Sequence, residues 1–214
     1  MSVFEKIYDK NKWQFGSGEG SLEKYTRKYR FFLENFLAAY KIKSVLDFGC
    51  GDWQFSKYID WNGIQYHGVD IVESVIIHHQ REYQTDSIRF SLIGEDYEPE
   101  AADLFIIKDV FQHWSNEKIL NFLPQLKKCK YALITNCGDL PQFQNKDIKD
   151  GGFRTLDLSK EPFGLKGNNV FSFRTRRVSF RNIIKWLLPY QLGGLDYNNK
   201  KVFFIKNDEK QRSE

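Results

Sequence analysis

The stretch Val45-Leu46-Asp47-Phe48-Gly49-Cys50-Gly51-Asp52-Trp53 and the later Gly68-Val69-Asp70 hold the residue types most able to act together on a ligand. An apolar run that ends in a glycine turn puts bare backbone at the tip of a strand, where doubly wound sheets bind ligands. Gly49 and Gly51 lack a Cβ, so a ligand can come close to the chain there. The residues from Asp52 to Tyr58 read as the start of a helix. Its N-terminus would bring partial positive charge to the same spot. Asp70 lies nineteen residues beyond Gly51, at the end of a second apolar run. A carboxylate at that place can accept both hydroxyls of a ribose.

The residues around the glycines narrow the nucleoside. A dinucleotide fingerprint, Gly-x-Gly-x-x-Gly, needs a third glycine where this chain has Gln54. Asp47 stands ahead of the turn instead. An acid there suits a ligand with an ammonium and a sulfonium, and suits a pyrophosphate badly. The order acid, glycines, strand, acid therefore points to S-adenosylmethionine as cofactor. The bland alternative is a tight strand-to-helix turn with Asp70 on the surface.

Methyl transfer is an in-line displacement at carbon, with the acceptor held about 3–3.5 Å from the methyl. A hydroxyl acceptor also needs a base. Lys108-Asp109-Val110-Phe111-Gln112-His113-Trp114 follows the fourth apolar run and so falls at the same edge. His113 is the candidate base, since an unperturbed imidazole titrates near about 6.5, and Asp109 is its rival. A histidine that caps the following helix is the structural alternative. Arg30 and Arg154 are the candidate anion binders, for the methionine carboxylate and the acceptor respectively. A surface salt bridge is the competing reading for each. Trp13 and the Gly16–Ser21 cluster read as a lid, or as a strap over the core. His67, His78 and His79 read as ordinary structural histidines. Cys50, Cys129 and Cys137 lack metal-ligand spacing, so no metal is expected.

The elements that must position these groups follow from periodicity. Leu22–Tyr40 repeats apolar residues every three or four positions, which predicts an amphipathic helix with Ser21 as its cap. Short apolar runs at 43–48, 64–70, 87–93, 103–108, 130–136 and 201–206 predict strands. Helical stretches at Val72–Tyr83 and Asn116–Leu126 alternate with them. Strands alternating with helices predict an α/β fold with a doubly wound, Rossmann-like sheet. Between 138 and 200 the pattern is weaker. A helix is expected at Arg177–Leu188 and a penultimate strand near Trp186–Leu192.

Composition bounds the class. The chain has 214 residues, 41% hydrophobic and 28% charged, which fits one globular domain and excludes disordered, collagen-like and disulfide-stapled scaffolds. Its parts read as an N-terminal lid and helix (1–40), a cofactor-binding core (41–137) and acceptor-side loops with the final strands (138–214). Aromatic residues reach 16%, most of them assigned to the core. The net charge of +4 permits an anionic substrate without demanding nucleic acid. The local excess is sharper: Arg174, Arg176, Arg177, Arg181 and Lys185 come with no acid among them. No apolar run approaches the ~18 residues of a membrane span, and no apolar signal segment opens the chain, so a cytoplasmic location is expected.

Residues 41–137 resemble the core of class I S-adenosylmethionine-dependent methyltransferases. The fuller pattern resembles a small group of such enzymes from bacteria and their viruses. It is carried by Gly16-Ser17-Gly18-Glu19-Gly20-Ser21, Tyr29-Arg30, Gly51-Asp52-Trp53-Gln54-Phe55-Ser56, Ile59-Asp60-Trp61, the Lys108–Trp114 run and Gly152-Phe153-Arg154-Thr155-Leu156-Asp157-Leu158. Members often sit among surface-polysaccharide genes, with capsule-modifying enzymes as the natural comparison. The resemblance implies seven strands with the last antiparallel. It implies methyl transfer to a sugar, a glycan precursor or a small anionic or phosphorylated acceptor. It places Asp47, Gly49, Cys50, Gly51, Trp53, Asp70, Ile71, Lys108, Trp13 and Arg30 at the cofactor, with Glu95 at adenine. Arg154, Asn136 and Trp114 go to the acceptor. A nucleic-acid methyltransferase and a non-catalytic S-adenosylmethionine-binding protein are the alternatives. The oligomeric state stays open.

Overall fold

The structure is a computed structural model, and residues 2–138, 145–175 and 199–208 are described. Seven strands form one sheet: β1 (Ser44–Phe48), β2 (Gln65–Asp70), β3 (Ile88–Leu92), β4 (Ala102–Lys108), β5 (Cys129–Cys137), β6 (Asn168–Arg174) and β7 (Asn199–Lys206). Their order is β3-β2-β1-β4-β5-β7-β6. The pairings among β1 to β5 are parallel, and β7 runs antiparallel to both β5 and β6. The expected Rossmann-like sheet with an antiparallel last strand is therefore present.

Strand side chains alternate between two cores, as a period of two requires. Val45, Leu104 and Ile106 pack on one face with Tyr29, Leu33, Phe36 and Leu37 of α2 (Glu23–Ala39) and with Ile76 of α3 (Glu73–Glu82). Leu46, Phe48, Phe105 and Ile107 pack on the other face with Ile119 and Phe122 of α4 (Asn116–Phe122). Burial on both faces explains why β1 and β4 read as continuous apolar runs. Much of the aromatic surplus lies between α2 and the β6–β7 edge: Phe32 stacks on Phe171 at 4.5 Å and Tyr29 on Phe173 at 5.2 Å.

Two local expectations change. The glycine turn is not followed by an α-helix; a three-residue 3-10 turn, Ser56–Tyr58, stands there. Gly51 and Trp53 both adopt positive φ, which a right-handed helix cannot absorb, so no helix dipole points at the turn. Among the described residues, the strand that precedes β7 is β6 at 168–174, and the strand expected near Trp186–Leu192 falls outside them. The expected helix at Arg177–Leu188 and most of the basic run also lie outside the described residues. Ser21 does not cap α2, whose N-cap is Leu22, because a 3-10 turn at Glu19–Ser21 precedes the helix. Finally, the N-terminus opens with α1 (Val3–Asp9), started by a capping box between Ser2 and Glu5. No helix among the described residues is long and apolar enough to cross a membrane.

Candidate active site

A cavity of about 730 Å³ lies along the C-terminal edges of β1, β2 and β4 and is walled by the N-terminal segment and the 150–153 loop. One end is built mainly from backbone. Asp47, Gly49, Cys50, Gly51, Asp70, Ile71, Glu95 and Tyr97 line it. The Asp70 carboxylate accepts from Gly51 N–H at 2.9 Å and from Val72 N–H at 3.0 Å. Each oxygen keeps a further lone pair, so the carboxylate is oriented and still able to accept hydroxyls. Burial pushes the Asp70 carboxyl up, against the pull of those backbone N–H groups. His79, a structural histidine as expected, bonds the Gly51 carbonyl at 2.7 Å and braces the turn from below.

The glycines have a role besides admitting a ligand. A Cβ on Gly51 would collide with Ser17 Oγ, and one on Gly49 with the side chain of Val110. Both residues sit at positive φ. Asp47 is buried and accepts a 2.6 Å hydrogen bond from the Tyr66 hydroxyl. Burial drives its carboxyl up to about 6, although Tyr66 and Lys108 pull the other way.

The opposite end is made of side chains from distant segments. Lys108, Asp109, Gln112, His113 and Trp114 line it from the loop after β4, and Lys200 joins from β7. Asp109, at positive φ, lies between Lys108 Nζ at 2.7 Å and Lys200 Nζ at 2.6 Å. Burial alone would raise its carboxyl, but the two ammonium groups hold it well below the usual carboxylate range. Asp109 is thus a poor proton acceptor.

His113 faces the cavity, with its ring held on both sides. Nδ1 is 2.7 Å from the Gly152 carbonyl, which can only accept, so Nδ1 carries the hydrogen. Nε2 is 3.2 Å from the Gln112 amide nitrogen, whose oxygen accepts from Cys137 N–H at 2.9 Å. That chain fixes the amide orientation and makes Nε2 the acceptor. Burial lowers the His113 pKa, against the effect of the Gly152 bond. Trp13 packs over the ring at 4.7 Å.

The N-terminal segment is fastened over the glycine turn. Ser17 N–H donates to Asp52 Oδ2 at 2.9 Å and Asp52 N–H donates to Ser17 Oγ at 2.8 Å. Tyr8 Oη lies 2.6 Å from the same Ser17 oxygen. Tyr8, Trp13, Ser17, Gly18, Gly20 and Ser21 line the cavity.

Four expected site residues are elsewhere. Trp53 is core: its positive φ turns the indole inward, where Nε1 donates to Tyr66 Oη at 2.8 Å. Arg30 pairs with Glu23 and lies 5.1 Å from the Tyr58 ring, away from the cavity lining. Arg154 is buried and donates to the carbonyls of Trp114 and Lys146, both at 2.6 Å, which ties its loop to the start of α4. Asn136 Oδ1 accepts from Gln112 N–H at 3.1 Å and so shapes the loop after β4. Glu95 reaches the lining but is largely exposed, 4.0 Å from Lys118. Lys200 and Tyr8 are not among the candidates the sequence offers, and Gln112 lies within the Lys108–Trp114 run without a role of its own. Ser17 at least lay within the glycine cluster. Among the described residues, no group of three His, Cys, Asp or Glu side chains is placed to hold a metal.

Residues 46–129 match the family model described as a methyltransferase domain. The chain carries an S-adenosylmethionine-dependent methyltransferase domain. Its fold is similar to that of the N-methyltransferase NodS from Bradyrhizobium japonicum, with a TM-score of 0.66 at 10% identity over 97% of this chain and 100% of that one. It is also similar to 1,6-didemethyltoxoflavin-N1-methyltransferase from Burkholderia thailandensis, with a TM-score of 0.62 at 18% identity over 96% and 86%. Magnesium protoporphyrin IX methyltransferase from Synechocystis gives a TM-score of 0.55 at 13% identity over 85% and 83%. Among curated proteins, nothing matches the chain. The segment matched to the methyltransferase domain runs from β1 to the start of β5. It contains the backbone-built end of the cavity and leaves out the N-terminal segment and Lys200.

Proposed function

We propose that this methyltransferase transfers a methyl group to a small-molecule acceptor bound at the Lys200 end of the cavity. The observation that carries the reading is the Asp70 carboxylate, oriented by Gly51 and Val72 N–H groups beside a glycine turn and facing a cavity of about 730 Å³. The residues fit S-adenosylmethionine. Asp70 takes the ribose hydroxyls, Ile71 and Ile93 flank the adenine, and Asp47, largely ionised at neutral pH, faces the ammonium. When bound, the cofactor supplies an electrophilic methyl group on a sulfonium. The strap from Tyr8 to Ser21 shields that centre from water and acts as the lid.

The acceptor is a sugar-like or small anionic molecule, in keeping with a cytoplasmic role in surface-glycan (capsule) synthesis. Support comes from Trp13, Trp114 and Phe153, whose rings line the cavity and can cover the apolar face of a sugar. Two of the similar structures carry small molecules in their names, magnesium protoporphyrin IX and 1,6-didemethyltoxoflavin. The test is a thermal-shift comparison of S-adenosylhomocysteine, NAD and NADP. It is followed by a mass screen of sugars and anionic acceptors for the gain of one methyl. Stabilisation by S-adenosylhomocysteine alone is expected; stabilisation by NAD instead would overturn the reading.

A further inference from the structure

Two ammonium groups and one carboxylate meet where β4 and β7 approach the cavity. Lys108, Asp109 and Lys200 all line it, and the lysine side chains are only 4% and 7% exposed. Each ammonium has three N–H donors, and Asp109 accepts one from each. Lys200 also faces the Cys137 sulfur. Among the described residues, Asp109 is the one carboxylate hydrogen-bonded to these ammonium groups, so both keep N–H donors for an anion that enters the cavity, while Asp47 also acts on Lys108 from the cofactor end. Asp47 and Asp70, the other buried carboxylates of the cavity, belong to the cofactor end.

The two candidate bases at the same end, Asp109 and His113, are both engaged. Asp109 is neutralised by its two lysines. The Nε2 lone pair of His113 is met by the Gln112 amide, and Nδ1 already carries its hydrogen. An alcohol held at Lys200 would find neither of these two groups free to take its proton.

We propose that the acceptor presents an oxygen that is already ionised, a carboxylate or a phosphate-type oxyanion, to Lys200, with Lys108 supplying the second positive charge. The inference rests on the methyltransferase reading. The acceptor oxygen's lone pair forms the new C–O bond as the methyl C–S bond breaks, and that electron pair passes to sulfur. No proton is released. The product ester has one negative charge less than the acceptor, so the hold of Lys200 weakens once transfer is complete.

Inorganic phosphate and acetate are the probes. Each is titrated at fixed ionic strength into protein loaded with S-adenosylhomocysteine, and the tryptophan fluorescence is followed, since Trp13 and Trp114 line the cavity. Wild-type protein should show saturable anion binding. Lys200→Gln should weaken it by about tenfold or more, as loss of a bond to a charged group implies, with affinity for S-adenosylhomocysteine retained. Lys200→Arg should restore it. Lys200→Met, which keeps the buried stem, is the second variant should the glutamine destabilise the fold. Tighter binding of phosphate assigns a phosphate-type acceptor, and tighter binding of acetate a carboxylate; both support the proposal. No saturable response in the wild type, or an equal response in Lys200→Gln, overturns it. Failure of S-adenosylhomocysteine to bind at all would instead sink the methyltransferase reading beneath it.

Discussion

The two ends of the cavity are built by different means. At the cofactor end, the glycine turn and Asp70 are joined by a hydrogen bond spanning nineteen residues, and backbone N–H groups do the positioning. At the proposed acceptor end, Lys200 reaches Asp109 across ninety-one residues and His113 reaches Gly152 across thirty-nine, while Ser17 reaches Asp52 across thirty-five to clasp the N-terminal segment over the turn. The first end needs only that one strand end in a turn beside its neighbour. The second needs the whole sheet to be closed by β7 and the N-terminal segment to fold back. The fold that carries the first end is similar in solved structures of 10–18% identity to this chain.

The largest expected effect breaks the cofactor end. Asp70→Ala removes the proposed ribose contacts and also the acceptor of the Gly51 and Val72 N–H groups. Affinity for S-adenosylhomocysteine should fall by roughly 1.5–3 kcal/mol or more, as read by calorimetry. Unchanged affinity would remove Asp70 from the site.

A pH titration sharpens the same end. The Asp47 carboxyl sits at about 6 in the folded chain, above its ordinary value. Below that pH it is neutral and no longer attracts the cofactor ammonium, so affinity should drop as pH falls through 6, by at most about tenfold per pH unit. Asp47→Asn should flatten this dependence. The sign for the unliganded fold is opposite. A raised carboxyl contributes stability that is complete below its unfolded pKa and lost as pH rises through about 6. Chemical denaturation across that window checks it.

At the acceptor end, His113→Ala should leave cofactor affinity within a few-fold. With an acceptor from the mass screen, its kcat should fall by less than the roughly 10²–10⁴-fold that loss of a general base produces. A drop in that range, with a pH limb lost near the imidazole pKa, would restore His113 as the base and make the acceptor a hydroxyl.

The smallest effect concerns the strap. Ser17→Ala removes the acceptor of Asp52 N–H and the partner of Tyr8. A loss of about 1 kcal/mol is expected, corresponding to roughly 2–4 °C in Tm for a chain of this size. Limited proteolysis within residues 10–16 should quicken. An unchanged digestion pattern would mean that the clasp does not hold the strap.

How much was legible in the sequence follows the same division. Asp47, Gly49, Gly51 and Asp70 could be read because each lies at the end of an apolar run and their spacing is local. The sheet was readable from runs such as Leu104–Ile107, buried on both faces. The helix after the turn was not, because propensity does not reveal the positive φ of Trp53. Arg154 and Arg30 read as anion binders because guanidinium groups suit anions. Arg154 meets two backbone carbonyls and the Asn116 side-chain oxygen, and Arg30 a glutamate within α2. Carbonyl partners leave no mark in a sequence. Lys200 stands among the polar residues that precede an apolar strand, and only the pairing of β7 with β5 brings it to Asp109.

A crystal structure of the complex with S-adenosylhomocysteine tests the division of the cavity most directly. The account predicts the ribose hydroxyls on the Asp70 carboxylate, the amino group toward Asp47, and the sulfur turned toward Asp109 and Lys200. A nucleoside seated against Lys200, or a ribose that makes no contact with Asp70, would contradict it.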